Sequence, residues 1–369
     1  MIMEQPIRIL HVVTYMGRGG LETMIMNYYR HIDRTKVQFD FLTHRDFHAD
    51  YDDEIASLGG RIYHLPKLVP WSRHYHRALD TFFEEHPEYK IVHVHQDCLS
   101  SVILKAAKKH GVPIRIAHSH SSSQDKNLKY LIKLYYKQQI PRYATQLFAC
   151  GKEAGDWMLG GASYRIVNNA IDTKRYAHNA EKRKQMRKEL SVAEDAFVIG
   201  HVGRFNAVKN HTFLLDIFTP TKEREQKAVL LLVGDGDLRA EMEQKAAALG
   251  ISSHVIFTGI RSDVPDLLQA MDCFVFPSLY EGIPVTMVEA QAAGLPCIVS
   301  AGVPVECDKT GLIKHIPLSA SPAHWVEEIL KTQSHARRNT SEQIIQAGYD
   351  IETNAQWLQN FYLEQWKEA

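Results

Sequence analysis

The 369 residues carry 43 Lys and Arg against 43 Asp and Glu, so no global charge is available to neutralise a phosphate backbone, and nucleic acid is not an expected partner. A chain of this length with 45% hydrophobic residues exceeds one ordinary core and suits two domains. Its five scattered cysteines (Cys98, Cys150, Cys273, Cys297, Cys307) lack C-x-x-C spacing and read as packed, reduced thiols of a cytosolic protein.

The start "MIMEQPIRIL" has no basic segment followed by an apolar run, and no apolar stretch approaches 18 residues, so neither export nor a membrane span is expected. "IRILHVV" then reads as a strand, followed by the glycine turn "GRGGLE" and the helix-like "LETMIMNYYRHI". "VQFDFLT", "RIYHLP", "KIVHVHQ" and "PIRIAHS" continue the series, with "SSVILKAAKKHG" as a helix ended by Gly111. Strands that alternate with helices imply a parallel sheet covered on both faces. After "YRIVNNAID" the pattern restarts with "AFVIGHVGR", "AVLLLVGDGD", "HVIFTGI", "CFVFPS" and "PCIVS". The reading is α/β: a first doubly wound domain over 1–168, a second over 169–349, and a cleft beyond their strand ends. Asn169, in the joint, tolerates positive φ better than most residues. The last segment, 350–369, places Trp357, Leu358, Phe361 and Tyr362 at helical spacing and should pack on something.

"SLYEGIPVTMVEAQAAGLP" puts two carboxylates, Glu281 and Glu289, in an apolar stretch where unpartnered burial is costly. "CFVFPS" is a buried strand, "LYEGIP" a loop, and Pro284 suits the first turn of a helix running to Gly294. Glu281 then lies at a strand's carboxyl end and Glu289 about one and a half turns inside the helix. Free N–H groups and the dipole make such a helix start a place for phosphate, with Glu289 set back to accept from ribose hydroxyls. "HVGRFNAVKN" adds Arg204 and Lys209 after the first strand of the same domain, a planar donor fork and a compact charge within reach of one diphosphate. "GDGD", with Asp235 and Asp237, follows a strand and reads as a turn and helix N-cap rather than a metal site. The paired "VHVH" and "AHSH" suggest zinc, yet the sequence supplies no evident third and fourth ligand, so no metal is expected. "KNLKYLIKLYYKQQIPR", Lys126 to Arg142, has five basic residues, no acidic ones and interleaved apolar residues; it suits either a helix on an anionic membrane surface or a packed helix with a solvated basic face.

"GRFNAVKN", "LVGDGDL", "VIFTGIRSDV" and "FVFPSLYEGIPVTMVEAQAAGLPCIVS" resemble the C-terminal domain of retaining glycosyltransferases of the GT-B class, family 4. "GRGGLE", "VHVH" and "AHSHSS" are similar to the N-terminal half of its bacterial exopolysaccharide and capsule branch. The resemblance implies a GT-B fold, two Rossmann-like domains facing across a cleft, with the terminal helix crossing back onto the first, acceptor-side domain. It implies a hexosyl or glycosyltransferase (EC 2.4.1.-) that moves a sugar from a nucleotide diphosphate, expected to be UDP, to a growing lipid-linked glycan. Arg204 and Lys209 would then bind the donor diphosphate and Glu289 the ribose. Glu281, with the N–H groups of Gly282 and Ile283 beside it, would serve the donor sugar. Gly19 and Gly20 would let backbone approach the diphosphate, and Ile260 and Arg261 would wall the base. One histidine of the pair His118 and His120 would position sugar hydroxyls, with His118 favoured; His95 and His120 would line the acceptor side. No cofactor is implied and no divalent cation, because Arg and Lys replace it. The location implied is cytoplasmic, at the inner face of the cell membrane. A sugar-nucleotide 2-epimerase and a non-catalytic partner subunit are the alternatives.

Overall fold

The computed structural model describes residues 5–121 and 130–369. The chain divides into two compact units, residues up to Ala170 together with Ile351–Ala369, and Ile171–Asp350. The first holds β1 (Ile7–Val12), β2 (Val37–Thr43), β3 (Ile62–His64), β4 (Ile91–Val94), β5 (Ile114–Ser119), β6 (Gln146–Ala149) and β7 (Arg165–Ile166). They form one sheet in the order β3-β2-β1-β4-β5-β6-β7, parallel throughout. The second holds β8 (Phe197–Val202), β9 (Ala228–Val233), β10 (Val255–Phe257), β11 (Cys273–Phe276), β12 (Cys297–Ser300) and β13 (Ile313–Ile316), parallel in the order β10-β9-β8-β11-β12-β13.

Strand periodicity decides which residues meet. Side chains alternate between faces, so Ile9, Phe39, Phe41, Ile91 and Ile116 pack on one side of the first sheet, against the helices Gly20–His31 and Ile351–Glu368. Leu10, Val12, Leu42, Val92, Val94 and Ala117 pack on the other, against Arg73–Glu85 and Ser100–Lys109. The second sheet is covered in the same way, with Val198, Phe274 and Phe276 on one face and Phe197, Ile199, Cys273 and Val275 on the other. All five cysteines are buried and free.

The terminal helix Ile351–Glu368 buries Ile351, Ala355, Leu358 and Tyr362 on the first sheet, with Trp357, Phe361 and Trp366 packed beside them. Gly111 follows the helix Ser100–Lys109 at φ +77, a left-handed conformation suited to glycine. Asn169 does not take the positive φ that its residue type allows: among the described residues the non-glycines with positive φ are Asp97, Ser191 and Asn210. A tight turn, Ala170 N–H to Asn168 C=O at 2.8 Å, bends the chain there instead. Pro284 is the N-cap of its helix, one residue before the first turn, with extended ψ of 132°.

Candidate active site

In both sheets the strand order reverses beside the first strand of the unit, between β1 and β4 and between β8 and β11. Loops leaving neighbouring strands in opposite directions open a crevice at the carboxyl ends, where ligands of open parallel sheets bind. The loops that follow β8 and β11 meet at the second of these points.

After β8, Asn206 caps a short turn by accepting from the Lys209 N–H at 3.1 Å, and Asn210 adopts left-handed φ of 55° before the helix His211–Arg224. Lys209 is thereby turned toward the loop after β11, where its Nζ lies 2.6 Å from Glu281 Oε1 and 4.6 Å from the Phe276 ring centre. Arg204 is exposed and forms no ion pair among the described residues. The Glu281 N–H donates to Gly302 C=O at 3.0 Å, fixing the loop backbone. The next two N–H groups, of Gly282 and Ile283, have no backbone partner among the described residues. They precede the helix Val285–Ala292 and add to its positive end.

Glu289 sits inside that helix with 5% of its surface exposed, and the Tyr176 hydroxyl donates to its Oε1 at 2.6 Å. Burial pushes this carboxyl up to about 7, with the Tyr176 bond opposing the shift. Both glutamates therefore have partners, Lys209 and Tyr176. The second was not legible in the sequence, since 113 residues separate it from Glu289.

Glycines keep these loops together. Gly234 and Gly236 have φ of +136 and +157, and a Cβ on Gly234 would lie 2.2 Å from the Gly203 carbonyl oxygen. Phe205 N–H donates to Asp235 C=O, and Gly234 N–H to Gly259 C=O. "GDGD" is thus a turn clamped to the loop carrying Arg204. Asp237 is not the N-cap, however: Leu238 holds that position of Arg239–Ala248 without a side-chain cap, and Asp235 pairs with Arg239 at 3.3 Å. Ile260 is exposed, whereas the Arg261 guanidinium is engaged by Asp263 at 2.5 Å and Glu189 at 2.9 Å. In the first unit Gly19 is the N-cap of Gly20–His31, and a Cβ on Gly20 would meet nothing within 4 Å, so its backbone is open to approach.

The first unit's strand reversal is lined with histidines. His11 and His93 are register partners next to the last residues of β1 and β4, His118 is next to last in β5, and His95 and His120 lie one residue beyond their strands. Alternation points all five to the face covered by the terminal helix. His93 Nδ1 is 2.7 Å from the Tyr362 hydroxyl and its Nε2 is 3.1 Å from His118 Nδ1. His95 Nε2 is 3.1 Å from His11 Nδ1, and its Nδ1 is 2.9 Å from His120 Nε2. Burial holds His11 and His120 down to about 3 and the other three well below the usual imidazole value, so all are neutral at pH 7. His118 is buried and His120 half-buried. The expectation that His-x-His pairs lack further ligands is corrected here: strand register brings His95, His118 and His120 together, and also His11, His93 and His95, each set with ligand atoms within 4.8 Å. His11 had no motif to mark it; its signal was a polar residue at a strand end on the same alternation as the pairs. The cavity of about 410 Å³ lined by Tyr63, His74, Arg77 and His86 contains none of the candidate residues.

The basic segment divides. Lys126 to 129 lie outside the described residues. The helix Tyr130–Gln138 has no fully buried residue, yet it packs through half-buried Tyr136, which lies against the core and bonds Pro70 C=O, and through Lys137 over the Trp157 ring. Its other face is open, so both alternatives stay open for it. Leu131 is 75% exposed and Tyr135 62%, and Trp71 is also exposed. Among the described residues no helix is long and apolar enough to cross a membrane.

This architecture and these loops define a GT-B glycosyltransferase. Residues 182–350 match the family model described as glycosyl transferases group 1, and residues 18–175 match glycosyltransferase family 4. The chain is 38% identical over 372 residues to the putative glycosyltransferase EpsF of Bacillus subtilis, covering 96% of both chains. It is 22% identical to the capsular polysaccharide biosynthesis glycosyltransferase CapH of Staphylococcus aureus, over 97% of this chain and 99% of that one. An Escherichia coli UDP-Gal:alpha-D-GlcNAc-diphosphoundecaprenol alpha-1,3-galactosyltransferase is 28% identical over 58% of each chain. Among solved structures, Anabaena Alr3699/HepE in complex with UDP superposes with a TM-score of 0.79 at 18% identity, covering 97% of this chain and all of that one. The chain belongs to the family 4 glycosyltransferases, in their exopolysaccharide and capsule branch.

Glu289 gives a pH test. Its carboxyl is raised from 4.5 to about 7 on folding, so the stabilising effect of its neutral form is fully present below 4.5 and is lost as pH rises through about 7. The change corresponds to roughly 3 kcal/mol at 1.36 kcal/mol per unit. Glu289→Gln, uncharged and still able to accept from Tyr176, should resist denaturant better than wild type at pH 8, with the gap closing as pH falls toward 4.5. An equal gap at pH 8 and pH 5 contradicts the buried-carboxyl account.

Proposed function

We propose that the protein is a retaining transferase that moves a sugar from a UDP-sugar to a hydroxyl of a growing, lipid-linked glycan, with no divalent cation at the diphosphate. The observation that carries this reading is the set gathered at the second strand reversal: Lys209 held by Glu281 and, among the described residues, Arg204 without an ion pair and the N–H groups of Gly282 and Ile283 without a backbone partner at a helix start. A diphosphate carries the charge these groups lack, and Arg204 offers the planar fork for it. Glu289, set deeper, accepts from the ribose hydroxyls, and Ile260 lies against the base. The UDP complex of the Anabaena protein and the donor named for the Escherichia coli relative support UDP.

In the reaction the bond between the anomeric carbon and the phosphate oxygen breaks, and the diphosphate leaves with the electron pair. Positive charge builds on the sugar and negative charge on the leaving group, which Arg204, Lys209 and the helix start stabilise by preorganised electrostatics. The acceptor hydroxyl bonds to the same face of the anomeric carbon, and its proton passes to the leaving phosphate oxygen. Glu281 holds sugar hydroxyls, and an imidazole of the His118 and His120 pair does the same rather than acting as base. The exposed Leu131 and Tyr135, with Lys133 and Lys137 on the same helix, fit an anionic membrane surface where a lipid-linked acceptor resides.

Calorimetry in EDTA should show UDP binding more tightly than GDP or ADP, and Arg204→Ala and Glu289→Ala each weakening it about tenfold or more, as expected for loss of a charge-assisted contact. No UDP binding, or indifference to both substitutions, removes the donor-site assignment. For the membrane contact, the protein should sediment with phosphatidylglycerol vesicles and not phosphatidylcholine vesicles, and Leu131→Glu combined with Lys133→Glu should abolish this. Unchanged sedimentation of the double variant sinks the surface-helix reading.

A further inference from the structure

The geometry points to a transition-metal site in the first unit, formed by His95, His118 and His120 and suited to Zn2+, Co2+ or Ni2+. The triad's ligand atoms lie within 4.8 Å of one another, and the His95 Nδ1 and His120 Nε2 pair is at 2.9 Å. Zn–N bonds of 2.0–2.1 Å place tetrahedral ligands about 3.3 Å apart, so small ring rotations suffice to close the set around one ion. Imidazole is the ligand type that suits these metals.

Two further observations separate this cluster from a row of packed histidines. The first is the outer layer. In metal sites a ligating imidazole has its other nitrogen hydrogen-bonded, which fixes the tautomer and ring orientation. Here the His118 Nδ1 is held by His93, leaving Nε2, and the His95 Nε2 is held by His11, leaving Nδ1; His93 is fixed in turn by the Tyr362 hydroxyl of the terminal helix. The second is an unpaired atom. His118 is 1% exposed, and its Nε2, the nitrogen the outer layer leaves over, has no hydrogen-bond partner among the described residues. A buried polar atom without a partner costs about 1–3 kcal/mol, a cost that a bound ion removes. His120 is half-buried and gives the ion a way in. Three neutral nitrogens and a position for water or hydroxide complete a four-coordinate set of the kind seen with three histidines on zinc.

The ion is not part of the donor chemistry, which rests on Arg204 and Lys209 in the other unit. It would occupy the nitrogens assigned above to sugar hydroxyls, so ion and donor sugar should compete; that consequence rests on the proposed function, whereas the site does not. The test is a Co2+ titration of untagged, full-length protein after EDTA treatment and dialysis, read by visible d–d absorption, with Zn2+ displacement. One equivalent should give the intense bands of a four-coordinate ion, and Zn2+ should abolish them. His120→Gln, at the half-buried ligand, should remove the bands with the thermal melt unchanged. His11→Gln, in the outer layer, should weaken Co2+ about 10- to 100-fold, and His74→Gln, at an exposed histidine, should change nothing. No four-coordinate spectrum in wild type, or bands that persist in a folded His120→Gln, overturns the proposal and leaves a hydrogen-bonded imidazole row.

Discussion

Each unit depends on one constraint: parallel strands joined by crossovers must leave the first strand in two directions. Where the order turns from β1 to β4, and from β8 to β11, no crossover covers the carboxyl ends. Groups placed there face each other across a gap that the fold cannot fill. In the second unit the gap is bridged by Lys209 and Glu281, and in the first by rows of imidazoles. The two differ in packing: the Lys209–Glu281 pair lies in surface loops, whereas the imidazoles are largely buried and pack against Phe39, Phe148 and Tyr362 of the core.

Burial and charge then sort the groups. Glu289 has a hydroxyl rather than a cation for a partner, and a carboxyl in that setting resists ionisation until a ligand supplies more donors. Glu281 has a cation and remains a half-open ion pair. The helix and the loop before it therefore present two carboxylates with different partners, Glu289 with a neutral hydroxyl and Glu281 with the Lys209 cation. The histidines show the opposite limit, in which every partner is another neutral group and burial keeps all of them uncharged.

Much of the fold was legible because parallel strands buried on both faces read as short apolar runs, as "AVLLLV" and "CFVFPS" do. The Gly-x-Gly of "GDGD" was legible as a turn, and the structure shows why glycine is required there: Gly234 has φ of +136, and a Cβ on it would lie 2.2 Å from the Gly203 carbonyl oxygen. What could not be read were contacts made by register and long separations. Tyr176 reaches Glu289 from 113 residues away, Tyr362 reaches His93 from 269, and His93 reaches His118 only because β4 and β5 pair in one register. Local signals also misplaced small features: Asp237 has the chemistry of an N-cap, but the clamp between Phe205 and Asp235 moves the helix start to Leu238.

The claim that most of this rests on is that the Lys209–Glu281 pair holds a place for the donor diphosphate. Glu281→Gln separates the two roles, because it frees Lys209 from a competing carboxylate while removing the group assigned to the sugar. Calorimetry of UDP against this variant, with transfer from UDP-sugar measured alongside, is the direct test. Tighter UDP binding by a few-fold together with loss of transfer is the predicted result. UDP binding that weakens or stays the same would mean that Lys209 does not meet the diphosphate, and the site would have to be assigned again.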